Sequence, residues 1–229
     1  MKKLAVKYLL EFLVIVIGVS ISFYAEHYKD SLNKIQLKNQ SLNRILENLK
    51  GDNGDNRFNY KVHSESLMSS EWILTNRNNL SAYSRDTIGF NLSRAINFIT
   101  YFVDNQEEYK TIQNSGYIEY IENESLVKGL QGKYVQHKFM KSLEEEIRSK
   151  ANVLADFEFK NSKINSDSLY MGSYLIYKTY IGDMEIPNEF YDRIIEKASY
   201  QKIYLGLIKR RIQRDSILEN EINKEILVN

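Results

Sequence analysis

The fold of this chain is decided at its start, where residues 1–30 read MKKLAVKYLLEFLVIVIGVSISFYAEHYKD. The uncharged run from Phe12 to Ala25 would cover roughly 21 Å as a helix, which is short of the ~30 Å of a bilayer core. Beginning the helix at Leu4 lengthens it to roughly 33 Å and brings in Lys7 and Glu11. These two charges are four positions apart on one helix face, so we expect them to form a charge pair at the membrane edge.

Three interpretations of this segment stay open: an uncleaved signal anchor, a cleaved signal peptide, and the core helix of a soluble protein. A signal peptidase requires small residues at positions −3 and −1, and Ser20 and Ser22 before Phe23 are the best such pair. However, no helix breaker follows, and apolar positions continue to alternate by four and three. These positions are Ile21, Ala25, Tyr28, Leu32, Ile35, Asn39, Leu42, Leu46 and Leu49. The pattern favours an uncleaved anchor that continues as a long juxtamembrane helix of coiled-coil character.

Charge around the apolar run predicts its orientation. Lys2, Lys3 and Lys7 precede the run, whereas the residues after it carry no excess of basic side chains. The positive-inside rule then places the N-terminus in the cytoplasm. We expect a single-pass protein of the cell inner membrane, with residues 1–25 as cytoplasmic stub and anchor. Residues 26–229 would form a periplasmic, extracytoplasmic domain.

One proline and 10 glycines in 229 residues are too few for a turn-rich β protein. The chain therefore predicts an all-α fold, in which an antiparallel helical bundle follows the anchor. GDNGDN at 51–56 predicts a turn, and a returning helix is expected from Arg57 to Leu80 with Phe58, Met68 and Ile73 in its core. Further helices are predicted at 88–103, 126–159, 168–181 and 188–227. Residues 107–126 are predicted to form two short helices separated by a turn at 114–116, the second of them capped near Asn123.

Composition argues against most catalytic chemistry. The absence of cysteine removes disulfides and thiolate sites, and 31 basic against 30 acidic residues give no field for nucleic acid. His27, His63 and His137 lack ligand spacing, so we expect them to be exposed or capping. No nucleotide loop or nucleophile elbow occurs, and Glu144, Glu145 and Glu146 are expected on a solvated face. We predict no catalytic, cofactor or metal residues and no enzyme.

Two features predict contacts with other molecules. Gly18 and Ser22 form a small-xxx-small pair that lets a second membrane helix approach closely, either in a homo-oligomer or in another membrane protein. The second feature is a basic cluster that is expected to contact lipid headgroups or an acidic partner surface, formed by Lys209, Arg210, Arg211 and Arg214.

The segments KYLLEFLVIVIGVSISFYAEHYKD and EEYKTIQNSGYIEYIENESLVKGLQGKY resemble a family of uncharacterised Bacteroidota membrane proteins, a domain of unknown function. The shared features are Lys7, Tyr8, Glu11, the span at 15–18 and the turn at Ser115–Gly116; the chain differs after the span, where the family has a Trp-Asn pair. The resemblance implies an uncleaved single-pass anchor and brings no activity.

The leading interpretation is thus a membrane-anchored interaction or assembly protein. The alternative is a ligand-sensing bundle that signals through a membrane partner. It rests on tyrosines that recur on one predicted helix face, namely Tyr170, Tyr174, Tyr177 and Tyr180.

Overall fold

The structure is a computed structural model that describes residues 2–103, 105–164 and 178–228. The described chain is all-α, as predicted, apart from one short antiparallel ladder that pairs Ser162 with Tyr180. Its helices are α1 (Lys2–Asn76), α2 (Arg85–Asn97), α3 (Glu107–Asn114), α4 (Glu124–Asn161) and α5 (Asn188–Val228). Two 3₁₀ turns, Leu80–Ala82 and Tyr117–Tyr120, and the strands β1 (Ser162–Ile164) and β2 (Lys178–Tyr180) complete it.

The helices form an up-down-up-down bundle of four columns. α1 rises and α5 descends beside it, since Tyr191 contacts Arg77 at the far end and Glu225 pairs with Lys38 at the near end. α4 rises, and packs antiparallel to α5. The remaining column descends through α2, residues 98–103 and 105–106, α3 and the turn Tyr117–Tyr120. The predicted antiparallel bundle is confirmed.

Each long helix buries one seam of positions that alternate by four and three, the spacing of knobs-into-holes packing. The seam of α1 contains Lys38, Leu42, Ile45, Leu49, Asp52, Asn56, Asn59, His63, Ser66, Ser70 and Ile73. The seam of α5 contains Phe190, Ile194, Lys197, Gln201, Tyr204, Ile208, Arg211, Asp215, Leu218, Ile222 and Glu225. Apart from Lys38 and Glu225 at one end, both seams are apolar towards their ends and mostly polar in the middle. Apolar clusters near the two ends of the bundle therefore enclose a largely polar centre, beside a smaller apolar cluster that contains Ile208.

The predicted turn at GDNGDN is wrong, because residues 51–56 lie within the uninterrupted α1. Asp52 and Asn56 occupy the buried seam, and the low helix propensity of the two glycines is overridden by packing against α5. The returning helix from Arg57 is accordingly the last part of α1. Ile73 is buried as expected, but Phe58 and Met68 are exposed on the outer face.

Three further predictions concern the end of α2, the start of α4 and the segment before α5. The helix expected at 88–103 ends at Asn97, because the backbone amides of Thr100 and Phe102 bond to side chains of α1 and α4 instead. Asn123, which was expected to cap a second short helix, is instead the N-cap of α4, where its side chain accepts from two backbone amides. The helix predicted at 168–181 is wrong at its end, where Lys178–Tyr180 forms β2; the remainder lies outside the described residues.

Gly89 is the reason that β2 can pack on α2. A Cβ at this position would lie 2.0 Å from the carbonyl oxygen of Lys178, so only glycine fits. Arg85 adds hydrogen bonds from its guanidinium to the carbonyl oxygens of Tyr180 and Gly182.

The N-terminal part of α1 is long and apolar enough to cross a membrane, by length and composition. None of its apolar window is buried in the protein, which argues against the core helix of a soluble protein. α1 passes Ala25 without interruption and reaches the bundle at Lys34, whose ammonium lies 5.8 Å from the centre of the Tyr120 ring. The predicted continuity between the apolar N-terminal segment and the long helix that follows it is confirmed.

Candidate functional site

The polar centre of the bundle is the most unusual feature among the described residues. Six consecutive seam positions of α1 are polar and no more than 5% exposed, namely Asp52, Asn56, Asn59, His63, Ser66 and Ser70. Burying polar groups costs free energy unless hydrogen bonds compensate, so each partner on the other helices matters. We call this set the polar seam.

At its lower end, the polar seam contributes Asp52 to a buried ion cluster. Lys133 of α4 lies 2.8 Å from Asp52 Oδ2 and 3.0 Å from Asp215 Oδ2 of α5, so one ammonium pairs with two carboxylates. Burial raises the pKa of Asp215, while Lys133 acts in the opposite direction. Arg211 lies above this cluster, with its guanidinium 4.2 Å from the centre of the Phe102 ring. The name carboxylate–lysine cluster is used below for Asp52, Lys133 and Asp215, and Arg211 is not part of it.

At its upper end, the polar seam meets Lys197 of α5, which is fully buried. Its ammonium donates to Ser66 Oγ at 3.0 Å and to the carbonyl oxygen of Ala95 at 2.7 Å. Both acceptors are neutral, and desolvation lowers the pKa of Lys197 to about 7. Burial also lowers the pKa of His63 to about 4, and the charge of Lys197 adds to this effect. The two groups therefore disfavour each other's protonation.

A third buried group, Glu144 of α4, lies between the two ends of the polar seam. Its carboxylate accepts from Tyr204 Oη at 2.6 Å, from the backbone amide of Phe102 at 2.8 Å and from Lys141 Nζ at 2.9 Å. Burial and the neighbouring Glu144 carboxylate raise the pKa of Tyr204. Tyr204 in turn packs edge-on against the ring of His63, with 4.8 Å between the ring centres. All four columns therefore meet at this level.

The end of the bundle nearest the apolar N-terminal segment is closed by one further buried pair. Lys38 donates to Glu225 Oε1 at 2.9 Å, and the same carboxylate accepts from the backbone amides of Glu122 and Asn123. The amide bonds and the Lys38 charge lower the pKa of Glu225 against the opposing effect of desolvation. This contact fixes the last turn of α5 to α1 and to the start of α4.

This arrangement can fix the alignment of the helices and respond to protons, but its described groups face one another inside the core. Sequence reasoning missed most of it. His63 was expected to be exposed or capping and Glu144 to lie on a solvated face, and both side chains are buried. The available signal was the four-and-three spacing, which runs unbroken from Lys38 to Ile73 although its middle is polar. A search for apolar periodicity alone stops at Leu49.

The predicted contact residues lie elsewhere. Lys7 Nζ is 3.9 Å from Glu11 Oε1, so the structure brings this pair together. Gly18 is open, with nothing within 4 Å of the position of a Cβ. Ser22 donates its hydroxyl to the Gly18 carbonyl oxygen at 2.9 Å. The Gly18 and Ser22 face is thus available to another helix.

The predicted basic cluster is divided. Arg211 is buried in the core, whereas Lys209, Arg210 and Arg214 are exposed. Arg211 lies near the level of Asp52 on α1, about 40 Å of helix beyond Ala25. The predicted contact of this cluster with lipid headgroups or with the acidic surface of a partner stays a prediction.

Two surface hollows lined by described residues open to solvent. One, of about 460 Å³, is formed by α1 alone around Tyr24 and Tyr28; the other, of about 540 Å³, lies between α1 and residues 103 and 105–107. Neither is an enclosed pocket of the kind that a ligand-sensing bundle requires. Of the predicted tyrosine face, Tyr180 is buried in β2, and the other three residues lie outside the described residues.

No family model, curated protein or solved structure matches this chain. The resemblance to a Bacteroidota family therefore stays a prediction, and function has to be argued from the geometry.

Proposed function

We propose that this protein is a single-pass inner-membrane protein whose extracytoplasmic bundle serves protein–protein interaction or assembly without catalysing a reaction. The observation that carries the proposal is α1 itself, one uninterrupted helix of 75 residues. Its first third exposes an apolar surface to the surroundings, and the remainder forms one column of the bundle. The same rod is thus both anchor and structural element.

The anchor would hold the bundle close to the bilayer and at a fixed angle. Lys34, where the bundle begins, is only about 14 Å of helix beyond Ala25. No break in α1 separates the two, so a load on the anchor would pass directly into the bundle core. Such rigid coupling suits a subunit that positions a surface for a partner at constant height above the membrane.

The absence of cysteine from the chain permits a direct topology test. Single variants Asn220→Cys, on the exposed face of α5, and Lys3→Cys would be treated in intact spheroplasts with a membrane-impermeant maleimide. We expect labelling of Asn220→Cys at once and of Lys3→Cys only after permeabilisation. The reverse pattern, or release of the protein by alkaline carbonate, contradicts the anchored topology.

The interaction role is tested by amine-reactive crosslinking in native membranes, where the exposed Lys209 and Lys202 supply reactive groups. We expect at least one specific adduct above the monomer mass, identified by mass spectrometry. Recovery of monomer alone over a range of crosslinker lengths and concentrations contradicts the proposal.

A further inference from the structure

From the middle of its apolar segment to the start of the bundle, α1 has an apolar face that no other described element covers. In heptad notation, position a falls on Gly18, Ala25 and Leu32, and position d on Ile21, Tyr28 and Ile35. Ile21, Tyr28 and Leu32 are at least half exposed. The same heptad continues into the buried core, where the next d positions, Leu42 and Leu49, are fully covered. The face is therefore built like an internal helix contact and is uncovered only below the bundle.

We infer that this face, which we call the stalk face, binds the same face of a second copy of the chain in a parallel two-helix coiled coil. The inference rests on the proposed membrane anchoring and deepens it by naming the partner. A bilayer aligns two copies in parallel and at equal depth, which brings identical heptad positions opposite each other. A helix from another protein would need the same register by coincidence, whereas a second copy has it by construction.

The charges of the stalk are compatible with self-pairing. Glu26, His27, Asp30 and Lys34 occupy heptad positions b, c and f, away from the stalk face. Lys29 is at position e, which in a parallel pair lies opposite position g of the other copy. The preceding g position is Tyr24, which is uncharged, so two copies bring no like charges together across the seam.

Inside the membrane, this face has no polar group that would need a hydrogen-bond acceptor on the second copy. Gly18 and Ala25 leave room for close backbone approach, and the Ser22 hydroxyl is already bonded to its own helix. The bundle lies on a neighbouring flank, since it covers Lys38 and Ile45 at position g. The a and e flank, including the exposed Leu32 and Gln36, stays open where the bundle begins.

Pairs of cysteine variants matched in depth test the inference in membranes of cells that express the full chain. Ala25→Cys and Leu32→Cys place a thiol on the stalk face, and Phe23→Cys and Asp30→Cys place one at nearly equal height on the opposite side. With a copper–phenanthroline oxidant, we expect at least five-fold more disulfide-linked dimer at 25 and 32 than at 23 and 30. Equal yields at all four positions, or none at 25 and 32, overturn the inference.

A second pair of substitutions tests whether the dimer depends on close packing at the stalk face, with a control on the opposite side of the helix. Gly18→Leu fills the a position and should reduce the Ala25→Cys crosslink several-fold, whereas Val16→Leu on the opposite side should leave it unchanged. An undiminished crosslink in Gly18→Leu contradicts the assigned face. If cysteine dimers fail while amine crosslinking yields an adduct with a different protein, the second copy is refuted and the interaction role survives. Monomer alone in both experiments refutes both.

Discussion

Lys197 Nζ lies 3.0 Å from Ser66 Oγ, a contact between α5 and α1 across the fully buried centre of the bundle. The other acceptor of this ammonium is the carbonyl oxygen of Ala95 on α2, so one side chain joins three columns. Neither acceptor is charged. The contact therefore fixes the alignment of the helices while placing a cation where its desolvation is costly.

This contact predicts that Lys197→Met makes the bundle more stable at neutral pH. Because burial lowers the folded-state pKa of Lys197 to about 7, the unfolded chain binds more protons between pH 7 and 10.5, and wild-type stability rises with pH there. The advantage of the variant should shrink by about 2 kcal/mol from pH 7 to pH 9. Denaturant unfolding in detergent, followed by the fluorescence of the single tryptophan, Trp72, measures this difference.

Lys202→Met is the control for that experiment. Lys202 is on the same helix and pairs with Glu71 at 3.0 Å, but both side chains are more than half exposed. Its substitution should change stability by less than about 1 kcal/mol at either pH. A pH-independent difference between Lys197→Met and wild type would mean that Lys197 does not titrate in this range.

Acid should destabilise the bundle through His63. The folded-state pKa of His63 is about 4 against an ordinary value of 6.5, so the unfolded chain takes up the proton first as the pH falls. Stability is lost between pH 6.5 and 4, by about 3 kcal/mol from this group. Unfolding curves at both pH values should show that loss in wild type and in His27→Gln, which changes an exposed histidine, but not in His63→Gln. An identical acid response in the His63 variant would contradict the assignment.

The sequence allowed prediction of the ends of the bundle better than its centre. Apolar spacing indicated Leu42 and Leu49 in α1 and most of α4 and α5, because large apolar residues at four-and-three spacing are a local signal. The helical state of residues 51–56 could not be predicted, because Asp, Asn and Gly favour turns in isolation. What overrides that preference is packing against α5 together with an ion pair from Asp52 to Lys133 of α4, both far away in sequence.

The same limit applies to the polar partners. His63 and Glu144 carry no local sign of burial, since their environments are made by Gln201, Tyr204 and the backbone of Phe102. The four-and-three spacing could have placed them on the buried seams if polar residues had been admitted to the pattern. Which helix faces which would still have required the alignment of the columns, a property of the whole fold.

The carboxylate–lysine cluster predicts a large and specific loss on removing its cation. Lys133→Met leaves Asp52 and Asp215 buried without their shared counter-ion and should destabilise the bundle by about 3–5 kcal/mol. Lys128→Met, one and a half turns earlier on α4, removes an exposed pair with Glu124 and should cost less than about 1 kcal/mol. Unfolding free energies from denaturant titration decide between the two outcomes.

A compensating variant separates charge from packing in that cluster. Combining Lys133→Met with Asp52→Asn and Asp215→Asn removes all three charges and should restore at least half of the lost stability. If the triple variant is as unstable as Lys133→Met, the loss comes from packing, and the ion cluster is not its cause.

Substituting the glycines at 51 and 54 tests whether α1 is continuous, because a helix and a turn predict opposite effects of alanine on stability. Gly51 and Gly54 are helical, and nothing lies within 4 Å of a Cβ at either position, so alanine fits without strain. In a helix interior, each Gly→Ala change should stabilise the protein by about 0.5–1 kcal/mol. Gly116 is the control, because its φ of 75° lies in the left-handed region and Gly116→Ala should destabilise by about 1 kcal/mol. Destabilisation by Gly51→Ala and Gly54→Ala, measured by the same Trp72 unfolding curves, would show that α1 is interrupted there.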